Sequence, residues 1–216
     1  MAENKHNHFA LCIGRSFGSG GLKLAMSLQE RLGIKVYEKN ILDKAAEDAN
    51  IRKALFEKAD EENKFNMPIV YGAGLGIPNS FFIYTNNYLS NEHLFTMQAE
   101  TIERLAEQES AIFVGRCADY VLRDHPQLLS IFVADTLESR VKNVMERLSL
   151  ESEDEAISEI EKADKKRREY YTFYTSRNWG EACNYDLCLR LSDIGTDYAV
   201  NIIVELMKHK GFIKDK

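Results

Sequence analysis

The sequence predicts an α/β fold built on a mainly parallel, five-stranded sheet. Short apolar runs of strand length alternate with longer segments whose apolar residues recur at helical spacing, the pattern of repeated strand–helix–strand units. A glycine-rich turn joins the first apolar run to the first helical segment, where such folds bind anions. The composition is that of a packed domain: 44% of 216 residues are hydrophobic, 29% are charged and only 3 are proline, which excludes collagen-like and disordered chains.

In chain order, Phe9-Ala10-Leu11-Cys12-Ile13 is an unbroken apolar run ending at a glycine, which reads as a strand buried on both faces of a parallel sheet. After the turn, Leu22, Leu24, Ala25, Leu28 and Leu32 mark a helical face that stops at Gly33. Ile34–Tyr37 is a second short strand, and Ile41–Asp48 and Ile51–Lys58 read as surface helices. From Phe65 to Ser90 the periodicity breaks, and Pro68, Gly72, Gly74, Gly76, Pro78 and Asn79 predict a long loop. Glu92–Gln108 reads as a helix on Leu94, Phe95, Met97, Ile102 and Leu105, and Ala111–Val114 as a third strand ended by Gly115-Arg116. Leu128–Ala134 is a fourth strand, after which Asp135-Thr136 caps a helix reaching Leu148. Ser152–Tyr174 is a highly charged helix, Tyr185–Leu191 a fifth strand, and Ile194–His209 a closing helix.

Length allows one elaborated domain or a domain carrying an insert. The net charge of −6 and pI near 5.5 fit poorly with non-specific binding to a nucleic-acid polymer. No apolar stretch approaches the length of a membrane span, and the polar start Met1–His8 lacks a signal core, so a cytoplasmic protein is expected. Cys12 and Cys117 belong to apolar surroundings, and the C-x4-C pair Cys183 and Cys188 has no second pair, so reduced structural thiols are expected rather than a zinc site.

The turn Gly14-Arg15-Ser16-Phe17-Gly18-Ser19-Gly20-Gly21 is the most informative segment. Its glycines permit the tight backbone of a phosphate cradle at a helix start. It departs from the pattern G-x-x-x-x-G-K-[ST]: Gly21 stands where the lysine belongs and Leu22 where the Mg²⁺-binding hydroxyl belongs. Arg15 and Lys23 offer positive charge from other positions. A lysine at position 21 with a serine at 22 is expected to leave ATP binding intact or to strengthen it.

Three blocks in order resemble the cytidylate kinase-like family of P-loop proteins. They are Gly14–Gly21 with its G-S-G-G core; Leu94-Phe95-Thr96-Met97-Gln98 through Gly115-Arg116-Cys117-Ala118-Asp119-Tyr120; and Asp164–Tyr171 followed by Trp179-Gly180 and Asn184–Leu187. The resemblance implies a three-layer α/β/α nucleoside-monophosphate-kinase-like fold, with a core of about 8–38, 92–150 and 183–216, an acceptor-binding insert at about 40–91 and a helical lid at about 152–182. It implies transfer of the ATP γ-phosphoryl group to a nucleoside monophosphate, with CMP or dCMP leading, and ATP and Mg²⁺ as cofactors.

Phosphoryl transfer needs positioning and positive charge more than covalent chemistry. Arg15, Ser16, Phe17, Gly18, Ser19, Gly20 and Gly21 are the expected phosphate-binding segment, and Lys23, Glu38, Arg116, Arg167 and Arg168 the expected catalytic set. Arg116 follows the third strand, at the sheet end where open α/β folds bind ligands, although a helix-start salt bridge is the alternative. Arg116, Gln98 and Asp119 are the expected acceptor contacts, resting on the resemblance. The run Lys165–Arg168 is either a lid closing on phosphates or a solvated stripe balanced by Glu159, Glu161 and Glu169. Arg140, one helix turn after Asp135, either adds charge to the site or pairs with an Asp or Glu on its own helix, and Arg177 is a further lid cation. Glu38 is the best-placed carboxylate for Mg²⁺, whose ligands the sequence does not identify. Two other readings stand beside the kinase: a nucleotide- or anion-binding regulatory protein without turnover, and a kinase of a small non-nucleotide acceptor. The partners expected are nucleotide-sized small molecules, and the chain is expected as a monomer or homodimer.

Overall fold

The computed structural model describes residues 8–38 and 80–214. The chain divides into two units, one formed by Met1–Glu38 with Ile102–Lys216 and the other by Lys39–Thr101. The first unit holds five strands: β1 (Ala10–Arg15), β2 (Lys35–Tyr37), β3 (Ala111–Val114), β4 (Leu128–Ala134) and β5 (Leu187–Arg190). All pair in parallel, in the order β2-β3-β1-β4-β5. The helices are α1 (Gly21–Leu32), α2 (Ser80–Gln108), α3 (Ala118–Val121), α4 (Leu137–Leu148), α5 (Glu153–Thr175), α6 (Leu191–Ile194) and α7 (Thr196–His209).

Because β1 is central, both of its faces are covered, which is why its sequence is apolar without alternation. Leu11, Ile13, Ile112, Val114, Leu129, Ile131 and Val133 share one face and pack with Leu24, Ala25 and Leu28 of α1 and Ala199, Ile203 and Met207 of α7. Intervening residues point the other way. On that second face Phe132 meets Trp179 edge-on at 5.4 Å between centroids and Tyr185 at 5.0 Å. Tyr37 stacks on Phe113 at 5.6 Å.

The helix ends follow local chemistry. Gly33 closes α1 in the left-handed conformation, and its N–H bonds the Gln29 carbonyl. The Thr136 hydroxyl accepts from the Ser139 N–H and starts α4, and Ser152 does the same for α5.

Three expectations are corrected. Ser80–Ser90 is helical, not loop: α2 begins at Ser80, and every turn-forming residue of the predicted loop precedes it. The last strand is shorter than expected. Tyr185 and Asp186 lie outside it, with the Asp186 side chain accepting from the Ser130 N–H and hydroxyl at 2.8 Å each, and Leu191 already belongs to α6. The closing helix starts at Thr196, two residues later than expected, because Gly195 with φ of 75° separates it from the short helix α6. The predicted helices at 41–58 and the loop at 65–79 lie outside the described residues.

Asp186 ties β5 to β4 and also accepts from Lys210 Nζ at 2.9 Å. Burial alone would raise its pKa, but the bonds from Ser130 and Lys210 outweigh that and hold the carboxyl below its usual range. A carboxyl depressed in the folded state stabilises above its unfolded pKa of about 3.9 and loses that contribution as pH falls through the folded value. Asp186→Asn should therefore melt earlier than wild type at pH 7, and the gap between the two melting temperatures should narrow as pH is lowered toward about 3.

Candidate functional site

The loop between β1 and α1 runs over the carboxyl end of the sheet. The Ser16 N–H bonds the Val133 carbonyl at 3.0 Å, and Ser19 Oγ lies 2.9 Å from both the Ser16 and Val133 carbonyl oxygens. These bonds pin the loop to β4. Gly18 and Gly20 carry φ of 81° and 83°, the left-handed backbone that turns the chain into the helix. Intrahelical bonding begins only with the Leu24 N–H on the Gly20 carbonyl. The N–H groups of Gly18, Gly20, Gly21, Leu22 and Lys23 consequently have no hydrogen-bond partner among the described residues.

These groups line a cleft of about 460 Å³ with Arg15, Lys23, Arg147, Arg167 and Glu38 on its walls. Among the described residues, four cations face one carboxylate there. Arg15 owes its position to two glycines. A Cβ on Gly21 would stand 2.6 Å from Arg15 Cβ, and one on Gly115 would collide with Arg15 Nη1. The side chain thus crosses the first residue of α1, passes the end of β3 and ends on Glu38, with which it forms an ion pair. Burial draws the Arg15 guanidinium below its usual range; Glu38 opposes this, and Arg116 and Arg147 add to the lowering.

Arg116 follows Gly115 in a run of three left-handed residues, with φ of 78°, 57° and 55° at Gly115, Arg116 and Cys117. Two non-glycine residues in that region are uncommon and confine the Arg116 backbone at the end of β3.

α4 and α5 grip the loop from outside. The Phe17 N–H donates to Asp164 Oδ1 at 2.7 Å, and the Phe17 carbonyl accepts from Arg140 Nε at 2.7 Å. Arg140 and Asp164 pair with each other, and both side chains are nearly buried. Asn143 Nδ2 donates to the Gly18 carbonyl and Arg167 Nη1 to the Arg15 carbonyl, both at 2.8 Å. The Arg147 guanidinium lies 4.4 Å over the Phe17 ring and that of Arg167 5.4 Å. Burial, then the neighbouring Arg15, lowers Arg167 to about 10, with Asp164 and Glu38 opposing, so it remains charged at neutral pH.

Of the residues expected from sequence, Arg15, Ser16, Phe17, Gly18, Gly20, Gly21, Lys23, Glu38 and Arg167 line this one cleft, and Ser19 is buried beneath it. Arg168 does not: one position along α5 turns it into solvent. Lys165 pairs with Glu169 on the exposed side of α5, so that part of the basic run is a solvated stripe. Arg140 pairs with Asp164, 24 residues away, and not with an acid on its own helix. Asp119 is buried and accepts from the Tyr171 hydroxyl at 2.7 Å, outside the cleft lining; burial raises its pKa against that bond. Arg177 lies 5.2 Å over the Tyr120 ring. Gln98 is buried on α2 within the second unit. Sequence reasoning missed Arg147 and Asn143; both sit on the polar side of an amphipathic helix, where nothing in spacing separates a loop-facing residue from a solvated one.

The donors fit phosphate groups: unpaired N–H groups at a helix start and arginines able to bind two oxygens each. Among the described residues they do not build a site for Mg²⁺: Leu22 replaces the hydroxyl, glycine follows β3 at position 115, Glu38 is engaged by Arg15, and no three acids, histidines or cysteines cluster as metal ligands.

The family pattern described as the cytidylate kinase-like family matches residues 10–193. A solved structure of an uncharacterized protein from Eubacterium ventriosum is 28% identical, with 93% of this chain and 99% of that chain covered and a TM-score of 0.70. Shikimate kinase from Bacteroides thetaiotaomicron shares the fold at 12% identity, covering 93% of this chain and 98% of that one, with a TM-score of 0.53. No curated protein matches the chain. No helix among the described residues is long and apolar enough to cross a membrane.

The Arg15 stem occupies the space above position 21, an obstacle to a lysine there that the sequence does not show. Gly21→Lys should destabilise the fold by about 1–3 kcal/mol, as overpacking does, and lower the melting temperature. The loss should shrink in an Arg15→Gly background, which removes the obstructing Cβ, and a double-mutant cycle of melting curves reads that coupling.

Proposed function

The chain belongs to the cytidylate kinase-like family, and we propose that it is a phosphotransferase that moves the terminal phosphoryl group of ATP to a nucleoside monophosphate, CMP or dCMP first. The observation that carries this reading is the set of unpaired N–H groups from Gly18 to Lys23 opening into a cleft walled by four cations.

In phosphoryl transfer the charge spreads over the oxygens of the transferring group, and the protein's part is to place those oxygens and answer their charge. The loop amides hold the phosphate chain from below. Arg15 and Arg167, fixed by Glu38 and by the Arg15 carbonyl, meet it from the sides. A guanidinium held by a backbone carbonyl, as Arg167 is, needs no reorganisation when charge develops, which is what makes such a group effective. Lys23 and Arg147 add positive charge at the rim. α5 is the lid of this scheme, and the second unit supplies the acceptor-binding insert. Arg116 contacts the acceptor, and Asp119, held by Tyr171, positions the segment that carries Arg116. No step is assigned to a protein-bound metal.

A second reading, binding without turnover, is favoured by the missing loop lysine and hydroxyl. A non-nucleotide acceptor is the third, since fold does not fix substrate. An ADP-release assay with MgATP against CMP, dCMP, UMP, AMP, GMP and shikimate separates the three. Turnover dependent on CMP or dCMP is expected, and Arg116→Ala should lower kcat/KM by about 10²-fold. Turnover with shikimate alone selects the third reading; silence with every acceptor, while ATP still binds, selects the second.

A further inference from the structure

The loop position where the pattern G-x-x-x-x-G-K-[ST] carries lysine is Gly21, and the residue that follows β3 is Gly115. One side chain passes over both. A Cβ at Gly21 would press on the Arg15 stem and one at Gly115 would displace its guanidinium, so the two glycines and the arginine form a single arrangement. The guanidinium that results lies in the cleft, beside unpaired loop N–H groups.

The charge balance of the cleft points the same way. Among the described residues its walls carry Arg15, Lys23, Arg147 and Arg167 against Glu38, and Glu38 is already matched by Arg15. That excess of positive charge complements a bare polyphosphate better than one whose charge a divalent ion has halved. Arginine also grips two phosphate oxygens at once, which a lysine ammonium does not.

We propose that this site holds a polyphosphate through the Arg15 guanidinium in place of both a loop lysine and a protein-held divalent ion, so that affinity depends on Arg15 and not on Mg²⁺. The inference rests on the phosphate-binding reading of the loop given above. Glu38 competes with the ligand for Arg15, and binding requires the pair to open or to be shared.

Calorimetric titration with inorganic tripolyphosphate, in EDTA and again in MgCl₂, tests this. Wild-type affinity in EDTA should equal or exceed that in MgCl₂. Arg15→Ala, checked for folding by circular dichroism, should bind about 10- to 100-fold more weakly, the range for losing hydrogen bonds to a charged group. Glu38→Gln keeps the shape of the site, removes the competing charge and should bind about threefold more tightly or better; it decides the matter if Arg15→Ala does not fold. The proposal is overturned if EDTA weakens wild-type binding tenfold or more, if folded Arg15→Ala binds like wild type, or if Glu38→Gln binds no better. Binding seen only with Mg²⁺ removes this inference and leaves the phosphate site standing. No binding in either buffer removes both.

Discussion

The side chain of Arg15 leaves the end of β1, crosses the first residue of α1 and reaches Glu38, and only glycine leaves room along that route. Much else follows from it. A buried guanidinium needs a carboxylate partner, and Glu38 supplies one immediately after β2. The end of β3 has to stay bare, and the chain beyond it turns through three left-handed residues before α3 begins. Moving a cation from the loop onto the strand thus changes the requirements on α1, β2 and β3 together.

The second constraint is the attachment of α5. A single peptide group, Phe17, is held at both ends, its N–H by Asp164 and its carbonyl by Arg140, while those two side chains pair with each other. An ion pair this well buried is stable only when its remaining hydrogen-bonding capacity is used, and the Phe17 peptide uses it. The same contact sets Arg167, three residues beyond Asp164, against the Arg15 carbonyl. Position along α5 then divides the basic run by function of geometry alone: one arginine faces the loop and its neighbour faces water.

Much of the fold was legible because the strands of a two-sided parallel sheet must be apolar throughout, and Phe9–Ile13, Ala111–Val114 and Leu128–Ala134 are. Gly33 and Thr136 marked helix ends for reasons that act within one turn. Ser80–Ser90 was misread because the glycines and prolines just before it imposed a loop on residues that carry none. In the site, the glycine loop announced itself, but the path of Arg15 depends on a glycine in a different strand, and the Arg140–Asp164 pair joins separate helices. Such contacts leave no local pattern. The likeness to shikimate kinase, at 12% identity, concerns the fold and says nothing of the acceptor.

One aromatic contact on the second face of the sheet gives the molecule its own optical reporter. The chain has a single tryptophan among ten tyrosines, and that indole sits just past the end of α5 with its edge against Phe132 of β4. Its emission senses the polarity of one joint, where the segment leaving α5 rests on the sheet. The seating of that helix can therefore be followed by intrinsic fluorescence in the unlabelled protein, since light absorbed by the indole and not by the tyrosines reports from that one place.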